Sequence, residues 1–152
     1  MKELDVKKVS MANIPVESVP ALLDEEKVAF QPVNTVNWAA YPYCPDVKFR
    51  MAYADNAILI HYKVKENSIR AVAGRDNGPV WEDSCVEFFS VPAEDGVYYN
   101  MECNCAGRLL IGAGAGRNGR RHQLAVAQHD HDLLHPAVGE LLAVHVAGKV
   151  QQ

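Results

Sequence analysis

The stretch W-E-D-S-C-V-E-F-F-S-V-P-A-E-D-G-V-Y-Y-N-M-E-C-N-C-A-G-R, from Trp81 to Arg108, gathers the side chains best suited to hold a polar ligand. Tyr98, Asn100, Glu102 and Asn104 alternate there with Tyr99, Met101, Cys103 and Cys105, the two-residue period of a strand. Phenol, amide and carboxylate groups in a row donate and accept hydrogen bonds in one plane, which suits a hydroxyl-rich ligand. The same row also suits a sheet face that is simply wetted by solvent. Trp81 adds an indole face, which stacks on the C–H faces of pyranose rings where hydroxyls make no contact.

Other chemistries are less well served. Glu82, Asp83 and Glu87 lie on one strand, whereas hydrolytic carboxylates flank a cleft. Cys85 beside Ser84 has no histidine nearby in sequence, with His61 the one that could approach it in space. Gly114-Ala115-Gly116-Arg117-Asn118-Gly119 matches G-x-G-x-x-G after Leu109-Leu110-Ile111, but Glu140 precedes the next apolar run instead of ending it, so a glycine-rich connection is expected. His129, Asp130, His131 and His135 have spacings that zinc sites use, and are read as accidental clustering. Without a Cys-x-x-Cys pair among Cys44, Cys85, Cys103 and Cys105, zinc-ribbon and thioredoxin readings fall away and buried free thiols are expected.

The elements that position the Trp81–Arg108 stretch read as strands. Two runs flank the acidic turn Glu94-Asp95. Upstream, Val47, Phe49, Met51 and Tyr53 alternate with Lys48 and Arg50, and Ile58, Ile60, Tyr62 and Val64 with His61, Lys63 and Lys65. The first set of each is expected inward and the second outward, with Asp55-Asn56 as the turn of an antiparallel hairpin. Residues 74–79 (G-R-D-N-G-P) read as a loop, and Pro20 to Lys27 as a short helix. Successive strands of this kind predict an all-β chain, an antiparallel β-sandwich, with no Rossmann alternation.

Beyond Arg117 the character changes. Every Phe, Tyr and Trp precedes residue 100, five of the six histidines follow residue 121, and no Lys or Arg lies between Arg121 and Lys149. A sandwich core normally takes aromatics from every strand, so this part reads as foreign to what precedes it. It is either an Ala-rich helix with a strand, or the product of a frameshift, a truncation or a divergent end.

At 152 residues the chain fits one domain with an adequate core. With 49% hydrophobic and 22% charged residues it has an ordinary globular composition. A net charge of −4 argues against nucleic acid, which needs a basic footprint, and no apolar run is long enough to cross a membrane. Met1 to Lys8 carries no apolar core, so a cytoplasmic chain or the mature form of an exported one is expected.

The block Val80-Trp81-Glu82-Asp83-Ser84-Cys85-Val86-Glu87-Phe88-Phe89, followed by Tyr99-Asn100-Met101-Glu102-Cys103-Asn104 and Gly107, resembles the family 9 carbohydrate-binding modules, in particular the stand-alone family-9-like domains of Bacteroidetes. Val36-Asn37-Trp38, Tyr41-Pro42-Tyr43, Val64-Lys65-Glu66 and Ile69-Arg70-Ala71 fit the same pattern, so the likeness runs from about Lys7 to Arg117. It implies a jelly-roll-like sandwich over 1–117, followed by an atypical tail over 118–152. It also implies binding of a mono- or oligosaccharide without catalytic residues, in support of polysaccharide breakdown by glycoside hydrolases.

Trp81 matches the Trp that forms one wall of the family's aromatic slot. Glu87 matches a ligand-contacting Glu, and Arg108 lies where an Arg reaches the same pocket. Asn100, Glu102 and Asn104 join the candidate site by strand parity alone. The slot's second wall, a Trp late in the domain, has no counterpart here. Relatives carry calcium as a structural ion, for which Asp24-Glu25-Glu26 and Glu94-Asp95 are the candidate turns. A sandwich lacking its closing strands would associate with another copy through an open sheet edge. The alternatives from other classes are an assembly module that has lost sugar binding and an enzyme associated with glycoside hydrolysis.

Overall fold

A computed structural model describes residues 3–10, 15–55, 57–91, 93–115, 121–123, 134–135 and 140–147. The chain divides into two compact units, one of residues 1–67 with 135–152 and the other of 68–134. Each contains a β-sheet, and the all-β class expected from the sequence is the class found.

In the first unit the centre is the hairpin of β3 (Asp46–Ala54) and β4 (Ala57–Lys65), in register from Asp46 opposite Lys65 to Ala54 opposite Ala57. Two short strands join β3: β1 (Lys7–Lys8) in parallel and β2 (Gln31–Pro32) antiparallel. Between them α1 (Val19–Glu25) has Pro20 in its first turn and buries Val19 and Leu23, four residues apart and so on one face. Seven residues are too few for a self-sustaining helix, so its stability comes from that packing. It ends in a Schellman turn: Lys27 has φ 55°, its N–H donates to the Asp24 carbonyl, and the Val28 N–H donates to the Leu23 carbonyl.

Val19 and Leu23 pack with Val9, Ala52, Ala54, Ala57 and Leu59 into one core cluster. That contact corrects the inward and outward assignment of the hairpin. Arg50 and His61, read as solvent-facing, are buried, because the face they share with Ala52 and Leu59 is covered by α1. Arg50 is tolerated there because each edge of its guanidinium has an acceptor. Nη1 donates to Asp24 at 2.6 Å, Nη2 to the Pro20 carbonyl at 3.0 Å and Nε to His61 Nδ1 at 3.2 Å, while the plane lies 4.4 Å from the Phe30 ring centre. On the opposite face Ile60 and Tyr62 are buried as expected, whereas Tyr53 is exposed.

The chain returns to this sheet near its end. β10 (Glu140–Ala147) pairs antiparallel with β4, with a register shift between Leu141 and Val144, and gives the order β1-β3-β4-β10-β9, where β9 is Leu134–His135. Part of the segment set apart in the sequence is therefore sheet.

The second unit is a four-stranded antiparallel sheet in chain order: β5 (Cys85–Ser90), β6 (Tyr98–Asn104), β7 (Leu109–Gly114) and β8 (Arg121–Gln123). Residues 68–84 run as an extended loop and close with a 3-10 turn, Val80–Glu82. β8 pairs only with Gly112 to Gly114. For the rest of β7 the loop serves: Asp76 accepts from the Leu109 N–H at 3.1 Å and Asn77 from the Ile111 N–H at 3.2 Å. Asn77 has φ 55°, a conformation asparagine adopts more readily than most residues.

Leu59 is fully buried at the centre of the first unit's cluster. Leu59→Ala should lower unfolding stability by about 2–5 kcal/mol, the usual result when a buried leucine leaves a cavity. Urea unfolding monitored by circular dichroism measures it, and a loss well under 1 kcal/mol would contradict the packing described.

Candidate functional site

The site builds outward from Asp83. Its Oδ1 accepts from the Val72 N–H at 2.9 Å, and its Oδ2 from the Ala73 N–H at 2.9 Å and from Asn104 Nδ2 at 2.8 Å. The Arg70 guanidinium stands 3.7 Å from Oδ1. The Val72 bond, with those of Ala73 and Asn104 and the Arg70 charge, holds this carboxyl below the ordinary carboxylate range against a burial that pushes it up. Ser84 continues the tie: its Oγ accepts from the Arg70 N–H at 3.1 Å, and its N–H donates to the Arg70 carbonyl at 2.9 Å. The W-E-D-S run thus fastens loop 68–73 to the start of β5 and the end of β6.

This fastening sets the direction of Trp81. In a 3-10 turn residues three apart lie on one side, here Val80 and Asp83. Val80 is fully buried with Ala73 and Leu110, and Asp83 is bound to the loop. Trp81 and Glu82 are left on the outside, and Trp81 is 54% exposed. An exposed indole on a turn fixed at both ends is an apolar plane available to a ligand.

The register places Cys85, Glu87 and Phe89 opposite Asn104, Glu102 and Asn100, so all six share one face of the sheet. The two strands differ in exposure. Glu87 and Phe89, on the edge strand β5, are exposed, while Asn100, Glu102 and Asn104 are buried. The open polar row expected along β6 is therefore not open, since β6 lies between β5 and β7 and the Asp83 segment is bonded over one end.

Asn104 in particular is a scaffold residue. It is 0% exposed, its Nδ2 is committed to Asp83, and its Oδ1 accepts from the N–H groups of Ala106 and Arg108 at 3.0 and 2.8 Å. With Gly107 at φ 74° it builds the turn from β6 to β7. Arg108 sits half-buried in that turn, its carbonyl accepting from the Asn104 N–H. Asn100 donates from Nδ2 to Glu102 Oε1 at 2.7 Å.

Glu87, named by the family resemblance, and Asn100, Glu102 and Asn104, named by strand parity, thus share one face, with Glu87 alone of these four exposed. Phe89, on the same face, was not named from the sequence; its ring stacks on Tyr98 with centres 5.7 Å apart and planes 14° from parallel. The signal was present, because Phe89 has the parity of Glu87.

Three of the five calcium candidates have other partners. Asp24 binds Arg50, Glu26 pairs with Lys7 at 2.6 Å, and Asp95 accepts from the Val97 N–H at 2.9 Å. Among the described residues no group of three His, Cys, Asp or Glu is arranged to hold a metal. The G-x-G-x-x-G run from Gly116 onward and His129 to His131 lie outside the described residues, as does the His135 side chain. No helix among the described residues is long and apolar enough to cross a membrane.

Against known proteins, the model of carbohydrate-binding family 9 matches residues 17–133. The chain is similar to the crystal structure of a candidate carbohydrate-binding protein from Bacteroides uniformis ATCC 8492, at 48% identity and a TM-score of 0.77, over 93% of this chain and 68% of that one. No curated protein matches.

Because the folded pKa of Asp83 is depressed, its contribution to stability is present above the unfolded value, about 3.9, and is lost as pH falls through the folded one. Asp83→Asn should therefore be less stable than the native chain at pH 7, with the gap closing below about pH 4. Denaturation midpoints of both proteins across pH 3 to 7 check this. A gap that does not change with pH would remove the carboxylate's ionised role.

Proposed function

The chain belongs to carbohydrate-binding family 9, and from that premise we propose that it recognises a mono- or oligosaccharide without acting on it, in support of polysaccharide breakdown. The observation that carries this is Trp81: an exposed indole, fixed by the Asp83 ties, at the approach to an edge strand that exposes Glu87. The indole stacks on the apolar face of a pyranose, and the Glu87 carboxylate accepts from its hydroxyls. Arg108, in the turn that Asn104 and Gly107 shape, supplies donors. All lie within residues 1–117, which we take as the sugar-binding portion.

Catalysis is not part of the proposal. Glu87 and Glu102 stand side by side on one sheet face, whereas a hydrolytic pair flanks the bond it cleaves. The role is to hold glycan where glycoside hydrolases act. The outer edge of β5 has no neighbouring strand among the described residues, so we further propose that two copies meet along it.

A second reading, an assembly module that has lost sugar binding, draws on a different observation. In the first unit Trp38, Tyr41 and Tyr43 are 64%, 76% and 55% exposed, a set of aromatics of the kind that marks protein contacts.

Calorimetry against a panel of soluble saccharides should give a dissociation constant of roughly micromolar to millimolar, the range of a small wet site, with the sugar recovered unchanged. Trp81→Ala should weaken binding roughly tenfold or more, about 1.4 kcal/mol, while melting at the native temperature. Full affinity in that variant would dismiss the stacking role, and no binding by the native chain would favour the assembly reading.

Light scattering should report dimers or larger species. A monodisperse monomer would remove the edge-pairing proposal.

A further inference from the structure

Phe89 is an exposed apolar ring on a strand face that is otherwise polar. It is 41% exposed and lies two residues from Glu87 on the same face of β5, a separation of about 7 Å along the strand. The near-parallel Tyr98 ring, 5.7 Å away, backs it from β6 and limits its rotation. Tyr98 and Asn100 pair in turn with Gly114 and Gly112 on β7, so the strand beyond carries no side chain to rise over this end of the sheet. Asn100, directly across from Phe89, is 1% exposed, and its Oδ1 has no hydrogen-bond partner among the described residues. A buried amide oxygen of this kind is costly unless a donor reaches it.

Trp81 and Phe89 stand on opposite sides of Glu87 in the sequence of β5 and its leading turn. We propose that Phe89, backed by Tyr98, is a second sugar-stacking platform and that the ligand is an oligosaccharide laid along β5. One pyranose meets Trp81 and Glu87, and the next in the chain meets Phe89. This rests on the sugar-binding reading given above and adds to it the length of the ligand. The residue assigned is specific to this face: Phe89 would widen the site along the strand, in place of a second ring closing over the Trp81 sugar.

The test is a ladder of glucose, cellobiose, cellotriose and cellotetraose, with xylose, xylobiose and xylotetraose beside it, titrated by calorimetry into the native chain and into Phe89→Ala, Phe89→Leu and Phe89→Trp. For whichever series binds, affinity should rise roughly two- to tenfold from one ring to two or more in the native chain, as expected for one added ring stack. Phe89→Ala and Phe89→Leu should flatten that rise while leaving monosaccharide affinity unchanged, and Phe89→Trp should keep it. Phe89→Leu guards against a folding defect, since it preserves apolar bulk and removes only the flat ring.

A ladder unchanged in Phe89→Ala and Phe89→Leu would overturn the second platform while leaving sugar binding at Trp81 intact. A native chain with equal affinity for every length would overturn it as well. If no sugar of either series binds the native chain, the sugar-binding reading fails for these β-linked sugars and the platform fails with it.

Discussion

The second unit depends on one buried carboxylate. Asp83 takes N–H donors from Val72 and Ala73 on the incoming loop and from the Asn104 side chain at the end of β6. A buried charge is tolerated only where such donors surround it, and here the donors come from segments far apart in the chain. The tie does three things at once. It closes loop 68–73 onto the sheet, fixes the turn before β5, and leaves Trp81 facing out. Without it, Val80 would have little reason to be buried and Trp81 to be exposed. The outward set of Trp81 thus follows from the way one acid is satisfied.

The first unit uses a cation in the same manner. Arg50 lies under α1 with Asp24, the Pro20 carbonyl, His61 and the Phe30 ring around it. The Arg50 and Asp83 clusters each join a loop or helix to the middle of a sheet. In each, the apolar contacts nearby (Leu23 with Leu59, Val80 with Leu110) supply most of the burial, and the polar group fixes which segment lies there.

This division explains how much of the fold could be read from the sequence. Strand positions came from two-residue alternation, and β3, β4, β5 and β6 fall where that alternation put them. Which face of a strand meets solvent did not, because alternation separates two faces without saying what covers each. Arg50 and His61 were assigned outward by polarity, and α1 covers them. Asn104 was placed in the site by strand parity, although its amide is used up by Asp83 and by the Ala106 and Arg108 N–H groups. A polar side chain on a strand serves either as a ligand contact or as a scaffold bond, and only its partners decide. The pairing of β10 with β4 was hidden for another reason. It joins residues some 80 apart, and nothing in a local pattern of Ala, Val and Leu identifies the strand they will meet. Trp81, by contrast, was singled out by the family resemblance, and the structure leaves it exposed.

The central claim is that sugar meets this chain on the Trp81–Glu87 side of the second unit. The most direct measurement is a heteronuclear NMR titration of the isotopically labelled chain with a saccharide that binds. The account predicts that the Trp81 indole N–H and the amides of residues 85–90 and 98–104 move on addition of sugar, while those of 46–65 stay in place. Shifts concentrated instead at Trp38, Tyr41 and Tyr43, with the Trp81 indole unmoved, would contradict it.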